Sequence, residues 1–264
     1  MLYPRIIPIL LIHKKGLVKT QQFREPKYVG DPINAVKIFN EKEVDEIIVI
    51  DIDASSNGDE PDYKLIENLA FECRMPLCYG GGIKTVEQAQ RIFSLGVEKI
   101  SVSSAAIKNA SIIEQMTERV GSQSVVVVID ARKNPFNNNY EVYTHNGKKA
   151  TGLNPVDFAV EMEKKGAGEI VINSIDQDGM MQGYDMNLIN TIRNAISIPL
   201  TVMGGAGSLD HLGEVIKAYG IIGTAAGSLF VFKGKYRAVL INYPTVIEKE
   251  ELINKYFMST WINK

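Results

Sequence analysis

Five aspartates close short runs of valine and isoleucine: Asp51 and Asp53 in EIIVIDID, Asp130 in SVVVVIDA, Asp176 and Asp178 in EIVINSIDQD. A carboxylate at the end of so apolar a run is costly to bury unless it is partnered or does chemistry. Proton transfer is the chemistry that suits it, and Asp130, preceded by four valines and an isoleucine, is the foremost candidate. Asp51 and Asp178 stand where they can hold ligand hydroxyls or cap turns. Two glycine-rich stretches add a second kind of site. Gly81 and Gly82 with Ser103 and Ser104 form one candidate phosphate cradle. Gly204, Gly205, Gly207, Gly227 and Ser228 form its counterpart, and Gly179 joins the same set. Glycine lets backbone N–H groups approach an oxyanion, and the following helix adds its dipole.

These residues need strands ahead of them and helices behind. Eight apolar runs fit: RIIPILLI, EIIVIDI, PLCYGG, KISVSSA, SVVVVIDA, EIVINSI, PLTVMGG and IIGTAAGS. Most are apolar on both faces, as in a parallel sheet covered by helices. Between them, stretches such as TVEQAQRIFSLG and NPVDFAVEMEKKG carry apolar residues at helical spacing and end in glycine. The chain also repeats itself. PLCYGGGIKTVE (76–87) aligns without gaps on PLTVMGGAGSLD (199–210), and DEIIVIDIDAS aligns on GEIVINSIDQD at the same upstream offset. Two halves of four βα units predict a closed (β/α)₈ barrel with pseudo-twofold symmetry, since an open doubly wound sheet does not repeat this way. The prediction is a single barrel over residues 1–264, with half-barrels of about 1–122 and 123–243 and a C-terminal helical tail at 244–264. Residues 133–152, rich in Asn, Gly and Lys, read as a loop with a small hairpin on the active face.

The same alignment exposes an asymmetry. Setting RIIPILLIH against SVVVVIDAR places Leu11 opposite Asp130, so one half has an acid and the other does not. The first run leads into a short loop with Lys19 beyond it. A mechanism using two carboxylates cannot use leucine for either, and loss of a positioned acid or base costs ~10²- to 10⁴-fold in rate. His13 or Asp51 is the alternative group for that role.

Bulk properties exclude several classes. A net charge of -2 over 264 residues lacks the basic excess of a nucleic-acid binder. Cys73, Cys78 and the three histidines, His13, His145 and His211, show neither metal-ligand spacing nor a disulfide framework. No cofactor motif is present, and the apolar start, Ile6 to Ile12, is too short for a membrane span and lacks signal-peptide features. A cytoplasmic protein with neither nucleic-acid nor membrane partner is the expectation.

The segments RIIP, VKT, GDPINAVKIFNEKEVDEIIVIDIDAS, PLCYGGGIK, GSQSVVVVIDARK, GEIVINSIDQDG, GYD and GGAGSL, in this order and spacing, resemble the cyclase subunit of imidazole glycerol phosphate synthase from Met1 to about Tyr243. The resemblance implies a barrel that takes ammonia from a separate glutaminase subunit and uses it to cleave and cyclise a phosphoribulosyl precursor, with catalytic aspartates ending strands one and five. Asp130 matches the second; Leu11 stands at the first; Lys19 is retained. The implied ammonia gate at the amino-terminal mouth maps to Arg5, Glu46, Lys99 and Glu169, all with the family's charges, and the glutaminase is expected to dock near Glu98. Met203 replaces a residue that the family keeps small and polar.

Within the family, GLVKTQQFREPKYVGDPINA and AAGSLFVFKGKYRAVLINYP are similar to a branch found beside surface-polysaccharide genes. That branch is associated with turning an acetamido group of a nucleotide-activated sugar into an acetamidino group. It implies an ATP-dependent sugar amidotransferase as a further partner and a phosphorylated or nucleotide-sugar substrate. Histidine biosynthesis and a non-conducting glutaminase-activating scaffold are the alternatives. The tail TVIEKEELINKYFMSTWINK, with the sole tryptophan, Trp261, departs from the usual cyclase ending and reads as an added helix on the barrel or a docking surface for the amidotransferase.

Overall fold

The computed structural model describes residues 3–262. Eight parallel strands form the barrel: β1 (Arg5–His13), β2 (Ile47–Asp51), β3 (Leu77–Gly80), β4 (Lys99–Val102), β5 (Val125–Lys133), β6 (Glu169–Ser174), β7 (Leu200–Met203) and β8 (Gly223–Ala226). Each pairs with the next in parallel, and β8 pairs back onto β1 with Arg5 opposite Gly223, so the sheet closes. The (β/α)₈ prediction from the duplicated βα pattern is correct.

Strand alternation sorts the apolar runs into two cores. Leu10, Ile12, Val49, Tyr79, Val127 and Ile172 face outward and pack under the helices. Ile7, Ile9, Ile48, Cys78, Val126, Val128, Val171 and Ala225 face inward and fill the barrel, with Leu11, Ile50 and Met203 packed against them. Of the Leu10-Leu11-Ile12 run, only Leu11 therefore reaches the interior.

The covering helices start where local chemistry permits. Asp31 caps Pro32–Glu41 by accepting from the Asn34 N–H, with proline at the first helical turn. Thr85 and Gln88 form a capping box on Val86–Ser94, and Asn154 caps Pro155–Lys164 ahead of another proline.

Two excursions decorate the carboxyl-terminal face. The segment after β1, read as a short loop, is instead two more strands: Gly16–Gln21 runs antiparallel to β1, and Arg24–Gly30 pairs antiparallel with Gly16–Gln21. Lys14 and Lys15, both in left-handed conformation, make the two-residue turn. No Asn-Gly or Asp-Gly advertises it. After β5 the chain forms the anticipated hairpin: Tyr140–Thr144 returns antiparallel to β5 and Lys149–Ala150 pairs with it.

The tail is helical over Val246–Ile253 and continues as a wider π-type helix over Asn254–Ile262. It lies on the helix Leu209–Tyr219. A Cβ added at Gly213 would meet the Tyr256 ring at 2.3 Å, so glycine is what lets the two elements approach. Asp210 accepts from Tyr256 at 2.6 Å and pairs with Lys255 at 3.0 Å. The half-exposed Trp261 donates its indole N–H to Lys217 O. Among the described residues no helix is long and apolar enough to cross a membrane.

Candidate functional site

A cavity of about 420 Å³ opens at the carboxyl-terminal ends of the strands. The duplication places its walls: Gly81, Gly82, Ser103 and Ser104 from the first half, Gly204, Gly205, Gly227 and Ser228 from the second, with Gly179 between. Several of these positions need glycine for space as well as conformation, Gly81 and Gly205 among them. Gly81 is at φ +118°, where a Cβ would strike Asp51 O at 2.4 Å; Gly205 is at φ +111°, where one would strike Gly183 O at 2.0 Å. Gly207 does not belong to the cradle. It packs against the Met181 backbone, outside the cavity lining.

Asp130, Asp51, Asp178, Lys19 and Leu11 also line the cavity. Asp130 accepts from Asn173 Nδ2 at 2.9 Å, its register neighbour on β6. Burial pushes its carboxyl up to about 6, against the Asn173 hydrogen bond and with help from the Asp178 charge. A carboxyl poised there changes protonation close to neutral pH. Asp178 accepts from the Thr20 hydroxyl at 2.8 Å and the Phe23 N–H at 3.3 Å, and burial raises it above the ordinary carboxylate range. The Lys19 ammonium is buried and donates to Ile9 O. Desolvation brings it down to about 8, partly offset by Asp178. Asp51 does both things open to it: Oδ1 caps the turn at Asp53 N (2.9 Å) and Ala54 N (3.1 Å), while the side chain borders the cavity and is raised by burial.

Asp176 stays outside. It accepts from Lys133 N at 2.8 Å and sits 3.7 Å from Arg132, fastening the root of the hairpin. The hairpin instead sends Thr144, His145, Asn146 and Lys148 to the cavity wall. Thr144 bonds Ser104 at 2.8 Å, and Asn146 donates to Ile52 O at 2.9 Å.

Two features were not legible by motif. Asn173 in contact with Asp130 is visible only once β5 and β6 are in register. His13 Nδ1 lies 2.7 Å from Asp53 Oδ1, joining positions 40 residues apart.

At the opposite mouth, Arg5, Glu46, Lys99 and Glu169 form one closed ring. Arg5 pairs with Glu46 and, at 2.7 Å, with Glu169; Lys99 lies 2.9 Å from Glu46 and 3.0 Å from Glu169. The Thr201 hydroxyl donates to Glu169 at 2.6 Å. Burial alone would raise the Glu169 carboxyl, but Arg5 and Lys99 outweigh it and hold the group below its ordinary range. The two carboxylates are nearly buried and the charges balance, so this is a built plug at the barrel floor. Above it the inward apolar residues run up to Leu11, Ile50 and Met203, with the buried Ser101 hydroxyl beside Cys78 among them. Among the described residues no three His, Cys, Asp or Glu side chains cluster as a metal site would need.

The family described as "Histidine biosynthesis protein" matches residues 5–237. The chain is 56% identical over 253 residues (96% of this chain, 97% of the relative) to the "Putative imidazole glycerol phosphate synthase subunit hisF3" of Vibrio vulnificus (strain YJ016). It is 59% identical over 252 residues (96% and 99%) to the "Putative imidazole glycerol phosphate synthase subunit HisF" of Leptospira borgpetersenii. A Pseudomonas aeruginosa relative, "Putative imidazole glycerol phosphate synthase subunit hisF2", is 52% identical over 242 residues (92% and 96%).

Proposed function

Because the chain belongs to the histidine biosynthesis protein family, as a barrel of the imidazole glycerol phosphate synthase cyclase-subunit (HisF) type, we propose that it receives ammonia from a partner glutaminase and delivers it to an acceptor other than the cyclase substrate. Family membership implies the glutaminase. The observation that carries the rest is Leu11: it faces the cavity across from Asp130, where a two-acid cyclase needs its other carboxylate, while the floor ring keeps all four charges.

In this reading the glutaminase docks on the ring face, near Glu98, whose carboxylate ties down Leu77 N at 2.9 Å. Ammonia passes the ring as the neutral molecule. Ile7, Ile48, Val126 and Val171 then offer no partner to a charge, and the Ser101 hydroxyl beside Cys78 offers at most one neutral contact, so ammonium, which loses far more on desolvation than ammonia, is disfavoured. The ammonia emerges beside Asp130 and Lys19. The acceptor is an acetamido group of a nucleotide-activated sugar, activated on its amide oxygen by an ATP-dependent amidotransferase, and the product is an acetamidino sugar of a surface polysaccharide. The glycine cradles suit the phosphates of such a ligand.

A second reading keeps the chain a cyclase of histidine biosynthesis. What favours it is the completeness of the cavity, with paired cradles at both ends, as a bisphosphorylated substrate requires. Complementation separates the two. A histidine auxotroph lacking its cyclase but retaining its glutaminase is expected to stay auxotrophic when given this chain; growth without histidine would refute the first reading.

A further inference from the structure

The strand that lost its acid has another group on the same face. Ile9, Leu11 and His13 of β1 all line the cavity, two residues apart, so His13 is the next inward position above Leu11, roughly 7 Å nearer the mouth at ~3.4 Å per residue. Its ring is fixed. Nδ1 meets Asp53 Oδ1 at 2.7 Å, and the other oxygen of Asp53 accepts the Lys14 N–H at 2.7 Å. Asp53 is itself held, because Asp51 Oδ1 accepts its backbone N–H at 2.9 Å. A carboxylate can only accept, so the ring presents Nδ1–H to Asp53, and in the neutral imidazole that tautomer leaves the lone pair on Nε2. Nε2 makes no hydrogen bond among the described residues, and the ring is partly open to the cavity.

We propose that His13, oriented by Asp53, is the proton acceptor for ammonia transfer in this cavity, a catalytic residue displaced one inward position up the strand from Leu11. The assignment rests on the reading that ammonia meets its acceptor here. In the step, the ammonia lone pair forms a C–N bond to the carbon of an amide activated as its O-phosphate. The C–O bond breaks and phosphate leaves with that electron pair. One N–H bond of the former ammonia breaks, its electrons stay on nitrogen, and the proton moves to His13 Nε2, from which it passes to the departing phosphate. Asp53 is a positioning residue: it selects the tautomer and stabilises the imidazolium.

The test is a reconstituted reaction of the full chain with its glutaminase, glutamine, the amidotransferase, ATP and a UDP-linked acetamido sugar, read as amidine formed per glutamate released. His13→Ala is expected to lower that ratio ~10²-fold, the usual worth of a positioned base, and millimolar imidazole is expected to restore part of it. A ratio equal to wild type, or a loss that imidazole does not touch in a variant with unchanged circular dichroism, would overturn the assignment. Wild-type chain that yields glutamate but no amidine sinks the sugar reading instead. The same preparations are then given the phosphoribulosyl substrate and ammonium chloride, where loss and imidazole rescue of cyclisation support His13. Wild-type chain inactive there too overturns it, because a proton acceptor requires a reaction in this cavity.

Discussion

Glu46→Gln tests whether the floor ring is a coupled plug or a set of solvated surface pairs. Four side chains share two positive and two negative charges, and the carboxylates are 5% and 7% exposed against 29% for Arg5 and 19% for Lys99. Removing the Glu46 charge leaves both cations to Glu169 alone. Breaking a fully buried pair costs about 3–5 kcal/mol, and losing an exposed one at most ~1 kcal/mol. The partial exposure of the two cations puts the loss between these, at about 2 kcal/mol, or a fall in Tm of roughly 4–8 °C for a chain of this size. Glu46→Gln with Lys99→Met restores charge balance around Arg5 and Glu169 and is expected to recover about half of that loss. Urea unfolding of the three proteins measures both effects. A single variant within ~0.5 kcal/mol of wild type would place the ring among ordinary surface ion pairs and remove the argument for a gate.

Filling the lumen with Ala225→Leu should abolish glutamine-driven product while product from added ammonium chloride survives; parallel loss of both would argue against conduction through the barrel. Asp130→Asn should stabilise the fold above pH 7 by roughly 1–3 kcal/mol and hardly at all near pH 4. The sign follows because a carboxyl raised to about 6 contributes stability that is present below the unfolded value and lost as pH rises through 6; the check is stability measured across that window, and equal gains at both ends would refute it. Lys19→Met should likewise stabilise at pH 7, by roughly 1–3 kcal/mol, since the buried ammonium is brought down to about 8, and the gain should shrink as pH rises from 8 to 10. Leu11→Asp should recover little cyclisation, because Ile50 and Met203 leave the new carboxylate in an apolar wall; a gain of 10²-fold or more would mean the site is otherwise intact.

The barrel was legible because its signals are local and repeated: valine and isoleucine runs, glycine after each, and one half matching the other. The position of the glycine turns and of Asp51, Asp130 and Asp178 at the cavity followed, since a strand end fixes where a residue comes to lie. Facing was harder. Leu10, Leu11 and Ile12 are alike in sequence, and only pairing of Leu11 with Ile50 in register settles which one enters the interior. The strands at Gly16–Gln21 and Arg24–Gly30 escaped notice because their turn uses two lysines in left-handed backbone, where no propensity points to a hairpin. Gly207 and Asp176 carry the right residue types at plausible offsets, yet backbone packing and an ion pair claim them. His13 meets Asp53 in the turn that follows the neighbouring strand, and Asn173 meets Asp130 across two paired strands, and no spacing rule within one segment can announce either contact.

In the proposed function ammonia enters this barrel but is not used for cyclisation. Its most direct test mixes the chain with its glutaminase partner, glutamine and the phosphoribulosyl substrate, and follows glutamate and imidazole glycerol phosphate together. Glutamate is expected with no cyclised product. Both products forming in equal amounts would contradict it and make Leu11 compatible with a working cyclase.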